Sequence, residues 1–275
     1  MELHEFAKNI LFEGDLKSKL IDRSFVNLKN IDINYTGTSI PQSPARAADI
    51  KISQEQVKFP RARSLGDQKR RGLALHFFAN HELLAIEMLA AAIYKFPCLN
   101  DEDVAFKKSL YSTLVDEQKH LQLYIKRMKD LGIKFGDYPL NDFFWRSILN
   151  VETPHQFLSV MALTFESANL DFSRYYAQVF EKLGDDKSAE IMNEIYRDEI
   201  SHVAVGAHWL KKWRGDRDLW SYYLSGLPSL LTPARAKGII FEKQAREKAG
   251  LDEDFIYKLD NYRDEFQITA RKEWK

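Results

Sequence analysis

The sequence predicts an all-α protein: four long helices as the body, an extended N-terminal arm before them, and shorter C-terminal helices after them. Three observations carry that expectation. Between about residues 73 and 214 apolar residues recur at a helical period with few breakers. Pairs such as Phe96-Pro97, Leu131-Gly132 and Leu183-Gly184 fall at the joints between periodic stretches. No succession of strand-like alternating segments occurs.

Residues 1 to about 30 read as a short amphipathic helix followed by irregular chain. Over 31–72, Pro41, Pro44 and Pro60 interrupt any long element, so this stretch is expected to be an arm packed over the body. The first long helix is expected over about 68–95, ending at Phe96-Pro97. The second runs over about 101–131 and closes at Gly132. An aromatic connector, FGDYPLNDFFWRSI, covers about 135–150. The third helix starts at Thr153-Pro154, an N-cap followed by proline at the first helical position, and runs to Leu183-Gly184. The fourth covers about 186–213 and stops before Arg214-Gly215. Residues 216–275 read as shorter helices, one capped by Thr232-Pro233. The expected organisation is therefore an arm (1–72), a four-helix body (73–214) and a helical extension (215–275).

Composition narrows the function. Forty Lys and Arg balance forty Asp and Glu, which argues against a dedicated, strongly basic nucleic-acid binder. Hydrophobic residues make up 45% of the chain, enough for a substantial core. Cys98 is the one cysteine, so neither an intrachain disulfide nor a cysteine-based zinc site is available. The N-terminus lacks the apolar core of a signal peptide, and no apolar run is expected to reach the roughly 18 residues of a membrane span. A cytoplasmic protein without membrane association is the expectation.

The chemistry lies in the carboxylates and histidines. With seven His and 19 Glu, roughly 0.5 Glu-x-x-His pairs are expected by chance. Three occur: Glu117–His120, Glu199–His202 and Glu152–His155. In the last, Thr153-Pro154 separates the partners and places Glu152 before the helix starts, so it is set aside. The other two lie in helix interiors, where residues three apart share a face. Each is preceded by an Asp, in DEQKH and DEISH. Leu110, Leu114, Leu121 and Met128 line the seam of the first; Met192, Ile195 and Trp209 line that of the second. Ionisable groups in such seams are costly unless paired or metal-bound. The other two helices each carry a lone Glu on an apolar seam, Glu82 and Glu166. The body therefore reads as two helical hairpins, each supplying Glu and then Glu-x-x-His. A Glu from each of two helices, with Glu-x-x-His from each of the other two, is the ligand arrangement of di-iron and di-manganese carboxylate bundles. Asp116 and Asp198 are expected to orient the ligand histidines from outside, each on the opposite Glu-x-x-His helix. Asn169, one turn after Glu166, is placed to hydrogen-bond a ligand carboxylate or a bound water.

These segments resemble those of ferritin-like proteins. Glu82 in HELLAIEM, DEQKHLQLYIKRM, Glu166 in TFESANL and DEISH are similar, in order, to the ligand segments of bacterioferritins. HELLAIEM, the FGDYPLNDFFW connector, RDEISHVAVG and the late TPARAKG segment resemble the ferritin-like proteins called domain-of-unknown-function 455, over nearly the whole chain. The non-haem di-iron tRNA hydroxylases are related by analogy of fold and site. The resemblance implies a ferritin-like four-helix bundle.

Several other residues are read as structural. Glu87 lies about 140° round the helix from Glu82, as a partner for an arginine rather than a further ligand. His81 and His208 are read as packing or surface histidines, and Tyr94, Tyr124, Tyr175, Tyr176 and Tyr196 as core aromatics. A basic cluster, Arg61, Arg63, Lys69, Arg70 and Arg71, could form an anion-binding lip with Arg235, Lys237 and Arg246, or tie the arm to acidic helix surfaces.

The resulting expectation is a cofactor of two divalent ions, iron ahead of manganese, held by Glu82, Glu117, His120, Glu166, Glu199 and His202. Dioxygen and an unknown small-molecule substrate are the expected partners, in a monomer or dimer rather than a ferritin shell. A tRNA substrate would call for more positive charge than the overall balance provides. Ferroxidase or iron-handling activity and manganese-dependent peroxide disposal are the alternatives. With two divalent ions neutralising four carboxylates, the loaded protein would carry about +4.

Overall fold

Helix formation begins at Leu3, where Leu3, Phe6, Ala7, Ile10 and Leu11 form the buried stripe of α1 (Leu3–Phe12). The computed structural model describes residues 1–29, 31–55, 57–229 and 231–264. These form two compact units, Met1–Leu149 and Asn150–Lys275. Among the described residues, extended pairing is limited to two isolated bridges, Tyr35–Cys98 and Ile52–Leu140. The fold is all-α.

In the first unit, a short α2 (Leu16–Lys19) follows α1 and leads into irregular chain. Two long helices, α3 (Gln68–Lys95) and α4 (Asp101–Asp130), then form an antiparallel hairpin. Their ends are set by local chemistry. Asp67 caps α3 by accepting the Arg70 N–H at 3.0 Å. Asn100 caps α4 by accepting the Asp103 N–H at 3.0 Å, and acids fill that first turn in favour of the helix dipole. Gly132, at φ +74°, closes α4: the Ile133 N–H reaches the Met128 carbonyl and the Gly132 N–H reaches that of Lys129. The arm is tied down by side chains reaching its carbonyls. Trp145, on α5 (Phe143–Ile148), donates to Gln42 O at 2.9 Å, and Gln118 donates to Lys19 O at 2.9 Å.

The second unit opens with α6 (Pro154–Val160), capped by a full capping box between Thr153 and Gln156. The sequence predicts one uninterrupted helix from here to Leu183. Instead, Met161–Glu166 form a π-helical turn before α7 (Ser167–Lys182) resumes. Within that turn the Thr164 hydroxyl bonds Ser159 O and the Tyr223 hydroxyl, each at 2.8 Å. Gly184 closes α7 as Gly132 closes α4, with the Asp185 N–H on Phe180 O. Antiparallel to α7 runs α8 (Asp186–Trp213). Three short helices complete the unit: α9 (Leu219–Ser225), α10 (Lys243–Lys248) and α11 (Glu253–Asn261). Thr232-Pro233 opens a 3-10 turn, Pro233–Ala236, rather than a capped α-helix. The Thr232 hydroxyl goes to Asp264 at 2.5 Å instead of to the turn's backbone. Residues 265–275, the end of the expected extension, lie outside the described residues.

An 18-residue window of α3 is apolar enough by composition for a membrane span. Yet 83% of that window is buried within the protein, where α3 acts as a core helix.

Candidate metal-binding triads

Each unit assembles the same set of donors. In the first, α3 carries Glu82 and α4 carries Glu117 and His120, and all three side chains are buried. Each offers one ligand atom, and those atoms lie within 4.8 Å of one another. The expected seam residues Leu110, Leu114, Leu121 and Met128 are buried, and so are Leu75, Ile86 and Leu89 on the helix of Glu82. In the second unit Glu166, Glu199 and His202 are likewise buried with ligand atoms inside 4.8 Å. Glu166 is the last residue of the π-helical turn, and Glu199 and His202 share one face of α8.

The i, i+3 spacing produces nearly the same local geometry twice. His120 Nδ1 lies 3.2 Å from Glu117 Oε2, and His202 Nδ1 lies 3.1 Å from Glu199 Oε2. In both pairs the same ring nitrogen turns towards the carboxylate, so one small ion could meet both atoms. Two carboxylates and an imidazole are a donor set suited to iron, manganese or zinc. These buried Glu and His groups could hold a metal ion.

Asn169 supports the second triad: its Nδ2 donates to Glu199 Oε1 at 2.7 Å. That bond occupies one oxygen and leaves Oε2 on the His202 side. Asp116 and Asp198 are half-buried on α4 and α8.

Glu87, five residues after Glu82, serves another purpose. It receives a two-pronged bond from Arg46 (Nε to Oε1 3.1 Å, Nη2 to Oε2 2.7 Å), and Lys19 Nζ lies 3.3 Å from Oε1. Lys19 also donates to Ile10 O and to Ala45 O. Burial pulls the Lys19 amine below its ordinary range, partly opposed by the Glu87 charge. This buried cluster fastens α1, α2 and the arm to α3. Sequence reasoning anticipated an arginine for Glu87 but not Arg46 or Lys19, which are 41 and 68 residues away in sequence.

The remaining candidates separate in the same way. His155 stacks on Tyr222 at 3.8 Å, and its Nε2 lies 2.7 Å from Tyr222 O. His81 packs against Phe144 at 4.7 Å, and His208 is exposed beside Trp209. Tyr124 is buried against Phe78, while Tyr196 donates to Glu242 at 2.9 Å. Tyr175 and Tyr176 meet edge to face, and Tyr94 packs against Phe12. The anion-lip grouping does not hold for Lys237 and Arg246. Lys237 Nζ donates to three carbonyls at the end of α11, those of Leu259, Asp260 and Tyr262. Arg246 is fully buried, with Nη1 at 2.7 Å and Nη2 at 2.9 Å from the two oxygens of Asp171. The chain's own carbonyls and carboxylate thus take up these two late cations. Arg71 likewise donates to Leu65 O and Gly66 O at 3.0 Å.

No solved structure matches the chain. A Haemophilus influenzae protein described as an uncharacterized protein is 26% identical over 258 residues, covering 89% of this chain and 88% of that one. The family described as "Protein of unknown function (DUF455)" matches residues 11–257, so both triads fall within the match and the chain belongs to that family.

Proposed function

We propose that the two triads hold two divalent metal ions, and that the protein is a ferritin-like di-iron oxidoreductase acting with dioxygen on an organic substrate. The observation that carries this reading is the duplication. Each unit gathers Glu, Glu and His donor atoms within 4.8 Å, on the hairpin order that the sequence repeats. Four carboxylates and two neutral imidazoles balance two divalent charges, the arrangement of di-metal carboxylate bundles. In this reading Glu82, Glu117 and His120 in the first unit and Glu166, Glu199 and His202 in the second would hold the ions.

Two ferrous ions, when bound, supply electrons for the reduction of dioxygen that accompanies substrate oxidation. The protein residues supply the setting. All six donors are buried, which excludes bulk water and strengthens electrostatic interactions around them. Asn169 holds Glu199 in one orientation through Oε1. Asp116 and Asp198, half-buried and next to the ligand glutamates in sequence, would serve as outer acceptors that hold a ligand histidine's tautomer.

The test is metal analysis of natively purified protein, followed by anaerobic Fe(II) loading and exposure to oxygen in a spectrophotometer. About two ions per chain are expected, with loss of metal in Glu117→Ala and Glu199→Ala and an oxygen-dependent absorbance change. A content below about one ion per chain, or the same content in both variants, overturns the reading. Loading with Mn(II) separates a shared pair from two isolated ions, because only a pair joined by common carboxylates gives an exchange-coupled electron paramagnetic resonance spectrum.

A further inference from the structure

The zero net charge of the chain conceals a strongly uneven distribution. Residues 61–71 and 126–134 hold nine basic and two acidic residues. The fold brings these segments to one end of the α3–α4 hairpin. Gln68, the first residue of α3, donates to Leu131 O just beyond α4 at 3.3 Å, and Ile133 packs directly on Gly72. Arg71 holds the 61–66 loop there through its bonds to Leu65 and Gly66.

Apart from Arg71 and Arg127, the cations at this end are not used by the fold. Arg61, Arg63, Lys69 and Arg70 are exposed on the loop and the first turn of α3. Lys126, Lys129 and Lys134 are exposed at the end of α4 and just after it. Among the described residues none of these seven side chains makes an ion pair or a hydrogen bond. The nearby acids have other roles. Asp67 caps α3, Asp130 pairs with Arg127 at 3.2 Å, and Asp137 accepts the Lys134 N–H at 2.7 Å. The expectation that the arm's basic residues bind acidic helix surfaces is therefore not met at Arg61, Arg63, Lys69 and Arg70.

We propose that this end of the hairpin is a binding surface for the phosphate backbone of a nucleic acid. Seven like charges crowded on one surface repel one another, and a polyanion relieves that repulsion while releasing its own counterions. Three of the seven are arginines, whose planar fork matches phosphate oxygens. The character of the surface also argues against an inserted membrane anchor and against the centre of a protein interface. No large apolar side chain is exposed in either segment, whereas insertion into an anionic membrane or the centre of a protein interface needs one. The surface does not depend on the metal triads, so its test applies to the metal-free protein as well.

The experiment is fluorescence anisotropy of a fluorescein-labelled 20-nucleotide single-stranded RNA titrated with the full chain at several salt concentrations. If about half of the seven cations engage phosphates, log K should fall against log[salt] with a slope of roughly −2 to −3. Reversal of Arg61, Arg63, Lys69 and Arg70 to Glu should weaken binding at least tenfold while circular dichroism stays unchanged. Reversal of four exposed lysines elsewhere, Lys17, Lys182, Lys211 and Lys248, should have far less effect. No binding at 50 mM salt, equal loss in both variants, or binding only to phosphatidylserine vesicles overturns the proposal.

Discussion

Gly206 of α8 lies so close to Ala162 of the π-helical turn that a Cβ at position 206 would sit 2.5 Å from the Ala162 Cβ. Leu163 Cδ2 is 3.1 Å from the same point. His202 precedes Gly206 by one turn, and Glu166 follows Ala162 by four residues. The absent side chain at 206 thus sets how closely α8 approaches the turn that carries Glu166.

Gly206→Ala tests that approach. Alanine in a helix interior is favoured over glycine by about 1 kcal/mol, but overpacking a core costs about 1–3 kcal/mol. A Cβ meeting another Cβ has no flexible end to yield. The expected net is destabilisation on the order of 1 kcal/mol in urea unfolding, with reduced metal content in native protein. A more stable variant with full metal content would show that the close approach does not position the ligands.

Asn169→Ala removes the 2.7 Å bond to Glu199 Oε1. Partners of this kind typically contribute 10–100-fold to metal affinity. Competition with a chelator should show a loss in that range with little change in melting temperature, whereas Asn169→Gln should restore part of it.

Glu87→Gln should separate stability from metal binding. It leaves Arg46 and Lys19 buried without their counter-charge, and breaking a buried pair costs about 3–5 kcal/mol. Chemical denaturation should show a loss of that order. Metal content per folded chain should stay at the wild-type value, because Glu87 faces the arm and not the triad.

His76 gives the metal-free protein a pH-dependent stability. It is buried, its Nε2 accepts the Gly136 N–H at 3.0 Å, and burial pushes its pKa down to about 4. The unfolded chain binds that proton near pH 6.5. The stabilisation is therefore fully present above pH 6.5 and is lost as pH falls from 6.5 to 4, by about 3 kcal/mol. Urea unfolding at pH 7 and pH 4.5 in the presence of a chelator should show the decline, and His76→Gln should flatten it.

The six ligand candidates were legible from local rules alone. Periodicity placed them on buried helix faces, i, i+3 spacing joined Glu117 to His120 and Glu199 to His202, and Thr153, Gly132 and Gly184 marked helix ends. Each of these signals acts within one or two turns of chain. The π-helical turn carries no such signal, since MALTFE contains neither glycine nor proline. It depends on Thr164 meeting Tyr223, 59 residues on, and on the close approach of Gly206.

The same division explains the charges. Sequence alone established the all-α class, the helix joints, the duplicated Glu and Glu-x-x-His pattern, and an overall charge of zero. Tertiary structure alone decided which charges neutralise one another. Asp171 and Arg246 are 75 residues apart, and Glu87 meets Arg46 across 41, while the exposed cations at the end of the α3–α4 hairpin are left to solvent. A helical period reports which face a side chain occupies. Which partner it meets there depends on contacts between distant segments, and no local pattern encodes those.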